Sequence, residues 1–149
     1  MIASVALALA CVTGAAGLAH ADPRPAATAS AAPKPSGVLK AYKGPEGEII
    51  AMVEVNDGKQ ILVYFKNLGG ELDGKSMLYQ LEDLGHGDKN VFINKKRGSK
   101  TYRSNLLSAR ENDWSFYHPS KPGTEFRIRY SEQATGELKV DDVVKAYRP

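Results

Sequence analysis

The side chains best suited to binding lie in the second half of the chain, where basic residues are concentrated. Residues 89–129 carry ten basic and three acidic side chains, whereas residues 46–88 carry nine acidic and three basic ones. Within the basic half, one acid-free run consists of Lys95, Lys96, Arg97, Lys100 and Arg103. Lysine and arginine at this density bind phosphate or carboxylate groups. The run therefore predicts an anion-binding face, for which lipid headgroups, lipopolysaccharide or acidic glycans are the candidate partners.

The same charges also have a structural interpretation, which is the commoner one for a run of this kind. Acidic and basic strands can pair across a sheet, and lysines can protect an exposed strand edge from pairing with another chain. The net charge of the whole chain is only +3, which does not favour nucleic acid as a partner.

Three aromatic residues in the basic half, Tyr102, Trp114 and Tyr117, are candidates for a sugar-binding surface. In a small all-β domain such residues more often form the core or cross-strand pairs. The sequence favours that second interpretation.

A metal site has only weak support, from an acidic segment with one histidine. Asp83, His86 and Asp88 are residue types that bind zinc or calcium. Their spacing matches no standard motif, so we expect a polar hairpin turn in which Gly85 and Gly87 provide backbone freedom.

No catalytic pattern is visible, so we predict a protein that is not an enzyme and that uses no cofactor. The sequence contains no G-x-S-x-G motif. A lone His118 at the end of a strand is more often structural than a general base. A small hydrolase would need titratable side chains, such as those of His86 and Asp88, to converge in a pocket.

Regularly spaced turns predict the elements that position these residues. Glycine-rich turn signals recur every eight to fourteen residues between short β-branched and aromatic runs. This pattern predicts an all-β domain, a small antiparallel barrel or sandwich of about seven to eight strands. Residues 49–55 and 61–65 should pair across an Asp57-Gly58 turn, with 61–65 as a central strand. Residues 100–109 and 114–117 should form a second hairpin.

The end of the domain also has strand-like alternation. Phe126, Ile128 and Tyr130 alternate with arginines, and a Thr135-Gly136 turn leads to a strand at residues 138–140. This strand, turn and strand resemble the last two strands of an OB-fold barrel. The resemblance covers about 25 residues and favours the barrel over the sandwich. A short terminal helix is the alternative for residues 141–147.

The N-terminal segment predicts where the protein goes. An uncharged apolar run ends in Ala19-His20-Ala21, which is typical of a secretory signal peptide over residues 1–21. Residues 22–36, rich in alanine and proline, should form a flexible tether, and residues 37–149 a single domain. We therefore expect a periplasmic or secreted protein with no transmembrane span after cleavage. The alternative is a lipoprotein attached through Cys11, because Ala8-Leu9-Ala10-Cys11 loosely resembles a lipobox.

Together these features predict an exported, non-enzymatic domain of the cell envelope. It would bind a protein, a glycan or an anionic surface through its basic face. The first alternative is a structural or assembly subunit joined by pairing at a strand edge. A small hydrolase is a further alternative.

Overall fold

The computed structural model describes residues 32–111 and 113–149, which form a closed barrel of eight antiparallel strands with two short helices at the C-terminal end. The strands are β1 (Lys40–Lys43), β2 (Ile49–Val55), β3 (Gln60–Lys66), β4 (Ser76–Gly85), β5 (Asp88–Arg97), β6 (Lys100–Arg110), β7 (Asp113–Tyr117) and β8 (Glu125–Tyr130). The helices are α1 (Glu132–Glu137) and α2 (Val140–Lys145). The small antiparallel barrel predicted from the sequence is confirmed. The predicted signal peptide, the Cys11 lipobox and residues 22–31 of the tether lie outside the described residues.

Each strand pairs with its neighbour in the chain, and β8 returns to pair with β1. Both predicted hairpins are present, because Val55 pairs with Gln60 and Arg110 with Asp113. Asn56 and Asp57 take φ values of 53° and 62° in the first turn, a conformation that asparagine and aspartate tolerate better than most residues. An OB-fold is instead a five-stranded Greek-key barrel. The resemblance to that fold is therefore not supported by the strand order.

The strand predicted at residues 138–140 is wrong. Thr135 and Gly136 lie within α1, which begins after Ser131, whose Oγ accepts a hydrogen bond from the backbone N–H of Ala134 at 3.2 Å. Val140 begins α2, so the alternative of a short terminal helix is confirmed. The physical reason is a helical spacing of apolar residues, which pack against the outside of the barrel: Val140, Val143, Val144 and Tyr147.

Two layers of apolar side chains stabilise the domain. The inner layer fills the barrel and includes Val63, Phe65 and Phe116, with the two phenylalanine rings 6.2 Å apart in edge-to-face contact. The outer layer lies between the first strands and the helices, where Leu62 of β3 and Val143 of α2 are fully buried. Strand β3 is therefore apolar on both faces, as expected for a central strand.

The residues before β1 extend the sheet. Pro35 forms an isolated bridge with Val55, and the backbone N–H groups of Ser36 and Gly37 donate to the carbonyl of Glu54 at 2.9 and 3.2 Å. The last residues of the predicted tether are thus held against β2.

Within residues 32–111 and 113–149, no helix has the length and hydropathy needed to cross a bilayer.

Strands β5 and β6 extend beyond the rest of the barrel. Pairing of β5 with β4 stops at Phe92 and Gln80, and pairing of β6 with β7 stops at Leu107 and Phe116. Strands β5 and β6 continue to pair with each other up to Arg97 and Lys100. Residues 93–104 therefore form a two-stranded projection, which we call the arm. A bulge at Val91 and Phe92 interrupts the register where the arm leaves the barrel.

We expect the docking of α2 to contribute measurably to stability. Val143 is fully buried, and its carbonyl accepts a hydrogen bond from Ser76 Oγ at 2.6 Å. Val143→Ala should lower the free energy of unfolding by about 2 kcal/mol, because each buried methylene contributes roughly 0.8 kcal/mol and a cavity adds to the loss. Urea unfolding followed by the fluorescence of Trp114 measures this change.

The matched control is Val144→Ala, on the same helix at a half-buried position. It changes helix propensity equally and should cost less than about 1 kcal/mol. Equal losses for the two variants would contradict the described docking of α2.

Candidate functional site

The arm contains the five basic residues that the sequence predicts as an anion-binding run, and four of them lie towards its tip. Lys95, Lys96, Arg97 and Lys100 are all exposed. None of the four forms an ion pair with another residue of the described chain. The arm tip is therefore a concentrated and uncompensated positive charge that projects from the barrel.

The register of the arm distributes its cations over both faces. Residues directly opposite each other in an antiparallel pair share a face. Lys95 lies opposite Tyr102, and Arg97 lies opposite Lys100, so these four residues share the face that continues the inner row of the barrel. Lys96 lies opposite Thr101 on the other face. The predicted aromatic Tyr102 thus lies among cations, with 47% of its surface exposed.

The two-residue turn Gly98-Ser99 brings the cations at the tip together. Gly98 has a φ of 63°, in the left-handed region that favours glycine. Such a tight hairpin places Arg97 and Lys100 directly across from each other, although like charges at this position repel. A bound anion would offset the repulsion between Arg97 and Lys100.

Arg103, the fifth residue of the predicted run, has a structural partner. Its Nη1 donates to Glu82 Oε2 at 2.5 Å, and its guanidinium carbon lies 3.7 Å from the centre of the Phe92 ring. This hydrogen bond lowers the pKa of the Glu82 carboxyl below its ordinary value. Arg103 therefore ties the base of the arm to β4, and the interpretation of charge pairing across the sheet holds at this position.

Lys89 also has an acidic neighbour. Its Nζ lies 3.7 Å from Asp83 Oδ2, its cross-strand partner. The acidic and basic halves of the sequence thus meet along β4, β5 and β6. The neutralised cations are Lys89 on the barrel wall and Arg103 at the base of the arm. The cations of the arm tip remain without an acidic partner in the described chain.

An apolar cleft lies where the arm joins the barrel. Its volume is about 210 Å³, and it is lined by residues that include Leu72, Met77, Tyr79, Ile93 and Lys95. Burial raises the pKa of the Tyr79 phenol to about 12, so this hydroxyl stays neutral at physiological pH. The cleft therefore places an apolar patch, bordered by the polar side chains of Ser104, Asn105 and Ser120, directly beside the first cation of the arm.

The three candidate aromatic residues do not form one surface. Trp114 is 9% exposed and packs inside the barrel, with its ring 6.1 Å from that of Tyr42. Tyr117 lies at the end of β7, opposite Glu125. Tyr102 is on the arm. A sugar platform built from all three is therefore excluded by their positions.

Both candidate carboxylates accept hydrogen bonds from backbone N–H groups of turns, Asp83 within its own turn and Asp88 from the neighbouring β6–β7 turn. Asp83 Oδ1 accepts a hydrogen bond from the N–H of Gly85 at 2.9 Å, and Asp88 Oδ1 accepts one from the N–H of Glu111 at 3.0 Å. His86 is exposed in the turn, with a φ of 53°. Across residues 32–111 and 113–149, no three His, Cys, Asp or Glu side chains form a group that could hold a metal ion. The segment forms the polar hairpin turn expected from its glycines.

The two histidines of the described chain lie at opposite ends of the barrel. His86 is in the β4–β5 turn, whereas His118 follows β7 at the end from which the arm projects. His118 Nδ1 accepts a hydrogen bond from the N–H of Ser120 at 3.2 Å. Burial, with a smaller effect of Lys121, lowers the pKa of this imidazole. The neutral ring thus supports the β7–β8 loop.

A cavity that no sequence pattern predicted lies at the barrel end opposite the arm, and we call this end the mouth. The cavity has a volume of about 250 Å³ and lies among the inner rows of the strands. Its apolar wall includes Tyr42, Met52, Ile61, Leu81 and Trp114. These residues come from five strands, so no local motif marks them. Alternating apolar positions are the only sequence signal for these residues. The strand register is needed to predict that they meet in one cavity.

Neither the protein-family models, nor the curated proteins, nor the solved structures compared with this chain gave a match. The chemistry of the arm and of the mouth is therefore inferred from their own residues.

The contact between Arg103 and Glu82 gives a pH-dependent prediction. The folded-state pKa of Glu82 is depressed, so this contact stabilises the fold above the unfolded pKa and its contribution is lost as the pH falls through the folded value. Arg103→Gln should raise the Glu82 pKa towards about 4.3, the ordinary value for glutamate. An NMR titration of the side-chain carboxyl measures this.

Lys100→Gln is the control, because it removes one arm charge without touching Glu82. It should leave the Glu82 pKa nearly unchanged. An equal rise in both variants would show that the general field of the arm, and not the direct contact, lowers the pKa.

Proposed function

We propose that this chain is an exported, non-enzymatic domain that binds an anionic lipid surface of the cell envelope through its arm. The observation that carries the proposal is the set of four exposed, unpaired cations at the tip of a hairpin that projects beyond the barrel. The predicted signal peptide supplies the location.

An extended surface fits the arm better than a small anion does. The cations lie on both faces of a narrow two-stranded projection, and Lys95 alone among the four lines the cleft at its base. A single phosphate could contact only part of this set. A surface carrying many anions could neutralise the whole tip, with about 1 kcal/mol for each Lys or Arg near it.

The surroundings of the arm favour a lipid over an acidic glycan. Tyr102 is half-exposed among the cations, and tyrosine is well suited to the boundary between headgroups and hydrocarbon. The apolar cleft at the base of the arm offers a surface that could cover part of an acyl chain beside Lys95. A glycan would leave this apolar surface unused.

The assembly alternative has less support. Within the barrel each strand is paired on both sides, so closure leaves few free edges for another chain. The two edges of the arm are the remaining candidates in the described chain, and they carry lysines, which oppose pairing with a second strand.

The test is co-sedimentation with vesicles made from equal parts of phosphatidylglycerol and phosphatidylcholine. The purified domain should bind these vesicles and not vesicles of phosphatidylcholine alone. Binding should weaken steeply between ionic strengths of about 0.01 M and about 1 M, because the Debye length falls from about 30 Å to about 3 Å. Replacing Lys95, Lys96 and Arg97 by serine should lower the partition coefficient roughly 100-fold.

The matched control replaces three exposed lysines outside the arm, Lys59, Lys66 and Lys75, by serine. The change in net charge is the same, so a specific role of the arm requires a much smaller loss in this control. Equal losses in the two triple variants would reject the arm as the binding element. Retention on heparin-like beads without binding to vesicles would indicate that the arm binds an acidic glycan and not a lipid.

A further inference from the structure

The mouth of the barrel combines an apolar wall with charged residues at its rim. Tyr42, Met52, Ile61 and Trp114 are at least nine-tenths buried, and they surround a cavity of about 250 Å³. Ligand sites are commonly concave and apolar, with a few polar groups that orient the ligand. The mouth has this composition, and the arm is not involved in it.

Two lysines provide the positive charge of the mouth. Lys40 lies opposite Met52 in the register, so it belongs to the inner row of β1, and it forms no ion pair within the described chain. Lys89 also lines the cavity, and its Nζ is 3.7 Å from Asp83 Oδ2. Lys40 is therefore the cation best placed to meet a new anionic partner.

The single carboxylate that lines the cavity stands at its edge. A Cβ atom built on Gly37 would lie 3.4 Å from Glu54 Oε2, and one built on Gly58 would lie 3.7 Å from the same atom. The carboxylate is thus beside the backbone of the rim, where water can solvate it. Lys89 is paired with Asp83, so Lys40 is the lysine of the lining that has no acidic partner in the described chain, and its charge favours an anionic ligand.

We propose that the mouth binds a small monocarboxylate with an apolar body, oriented by a charge-assisted hydrogen bond from Lys40 to the carboxylate. One water occupies about 30 Å³, so a cavity of about 250 Å³ holds roughly eight non-hydrogen atoms. Below the cavity the barrel is filled by side chains that include the fully buried Val63, Phe65 and Phe116. This packing limits the length of the ligand, and a long-chain lipid does not fit.

The probe for this site is octanoate, a chain of eight carbons of which the last is the carboxylate carbon. Trp114 is the only tryptophan of the chain and lines the cavity, so its fluorescence reports directly on occupancy. We expect saturable one-to-one binding with a Kd below about 1 mM. Octylamine, which carries the opposite charge on the same chain, and acetate, which lacks the apolar body, should each bind at least about tenfold more weakly. Isothermal titration calorimetry gives the stoichiometry.

Two variants and one control variant locate the ligand. Lys40→Gln should weaken octanoate binding about tenfold, because it removes the charge-assisted hydrogen bond. Lys43→Gln, on the outer face of the same strand, should leave the Kd unchanged. Leu81→Phe should fill part of the cavity and also weaken binding. If that variant does not fold, the comparison of octanoate with octylamine in the unsubstituted protein still decides the question.

Three results would overturn the proposal. The first is no binding of octanoate, and the second is binding of octylamine as strong as that of octanoate. The third is a loss of octanoate binding in Lys95→Ser but not in Lys40→Gln, which would place the ligand in the cleft at the base of the arm. The outcome with vesicles is independent of these results, because the mouth and the arm lie at opposite ends of the barrel.

Discussion

The rest of the structure depends on closure of the barrel between β1 and β8. This seam is short, with Tyr42 paired to Tyr130 and Lys43 to Arg129. Helix α1 reinforces it, because Ala41 N–H donates to Thr135 Oγ1 at 2.9 Å and the N–H of Ser131 donates to the carbonyl of Ala41. Backbone groups that would otherwise form an exposed edge are thereby satisfied. The Tyr42 ring, 6.0 Å from that of Tyr130, packs against the seam from the inside.

Closure determines where binding can occur. A closed eight-stranded barrel has an interior just wide enough for its side chains, so ligands can enter only near the ends. At the mouth the inner row leaves a cavity below Lys40, Glu54 and Lys89. At the opposite end, β5 and β6 lose their outer partners and continue as the arm. The two candidate sites are therefore consequences of the same sheet.

The charge pattern illustrates how far sequence reasoning reaches. The concentration of bases in residues 89–129 was visible at once, and so was the possibility that acidic strands neutralise them. The structure shows the second for one position, because Glu82 neutralises Arg103 at the base of the arm. Lys96 and Arg97 have no acidic partner in the described chain, and anion binding by them stays a prediction. Finding the Arg103 contact required the strand register, because Arg103 and Glu82 are 21 residues apart. The cavity at the mouth could not be predicted for the same reason.

The sequence by itself determined the all-β class, the hairpins and the acid-free run, because alternation and turn residues act over a few neighbouring positions. It also contained the helical spacing of Val140, Val143 and Val144, although the alternation in β8 suggested a further strand. The tertiary structure decided that the sheet closes, that Trp114 turns inward and that the arm tip remains unpaired. These features depend on contacts between residues far apart in the chain, and long-range packing cannot be read from local patterns.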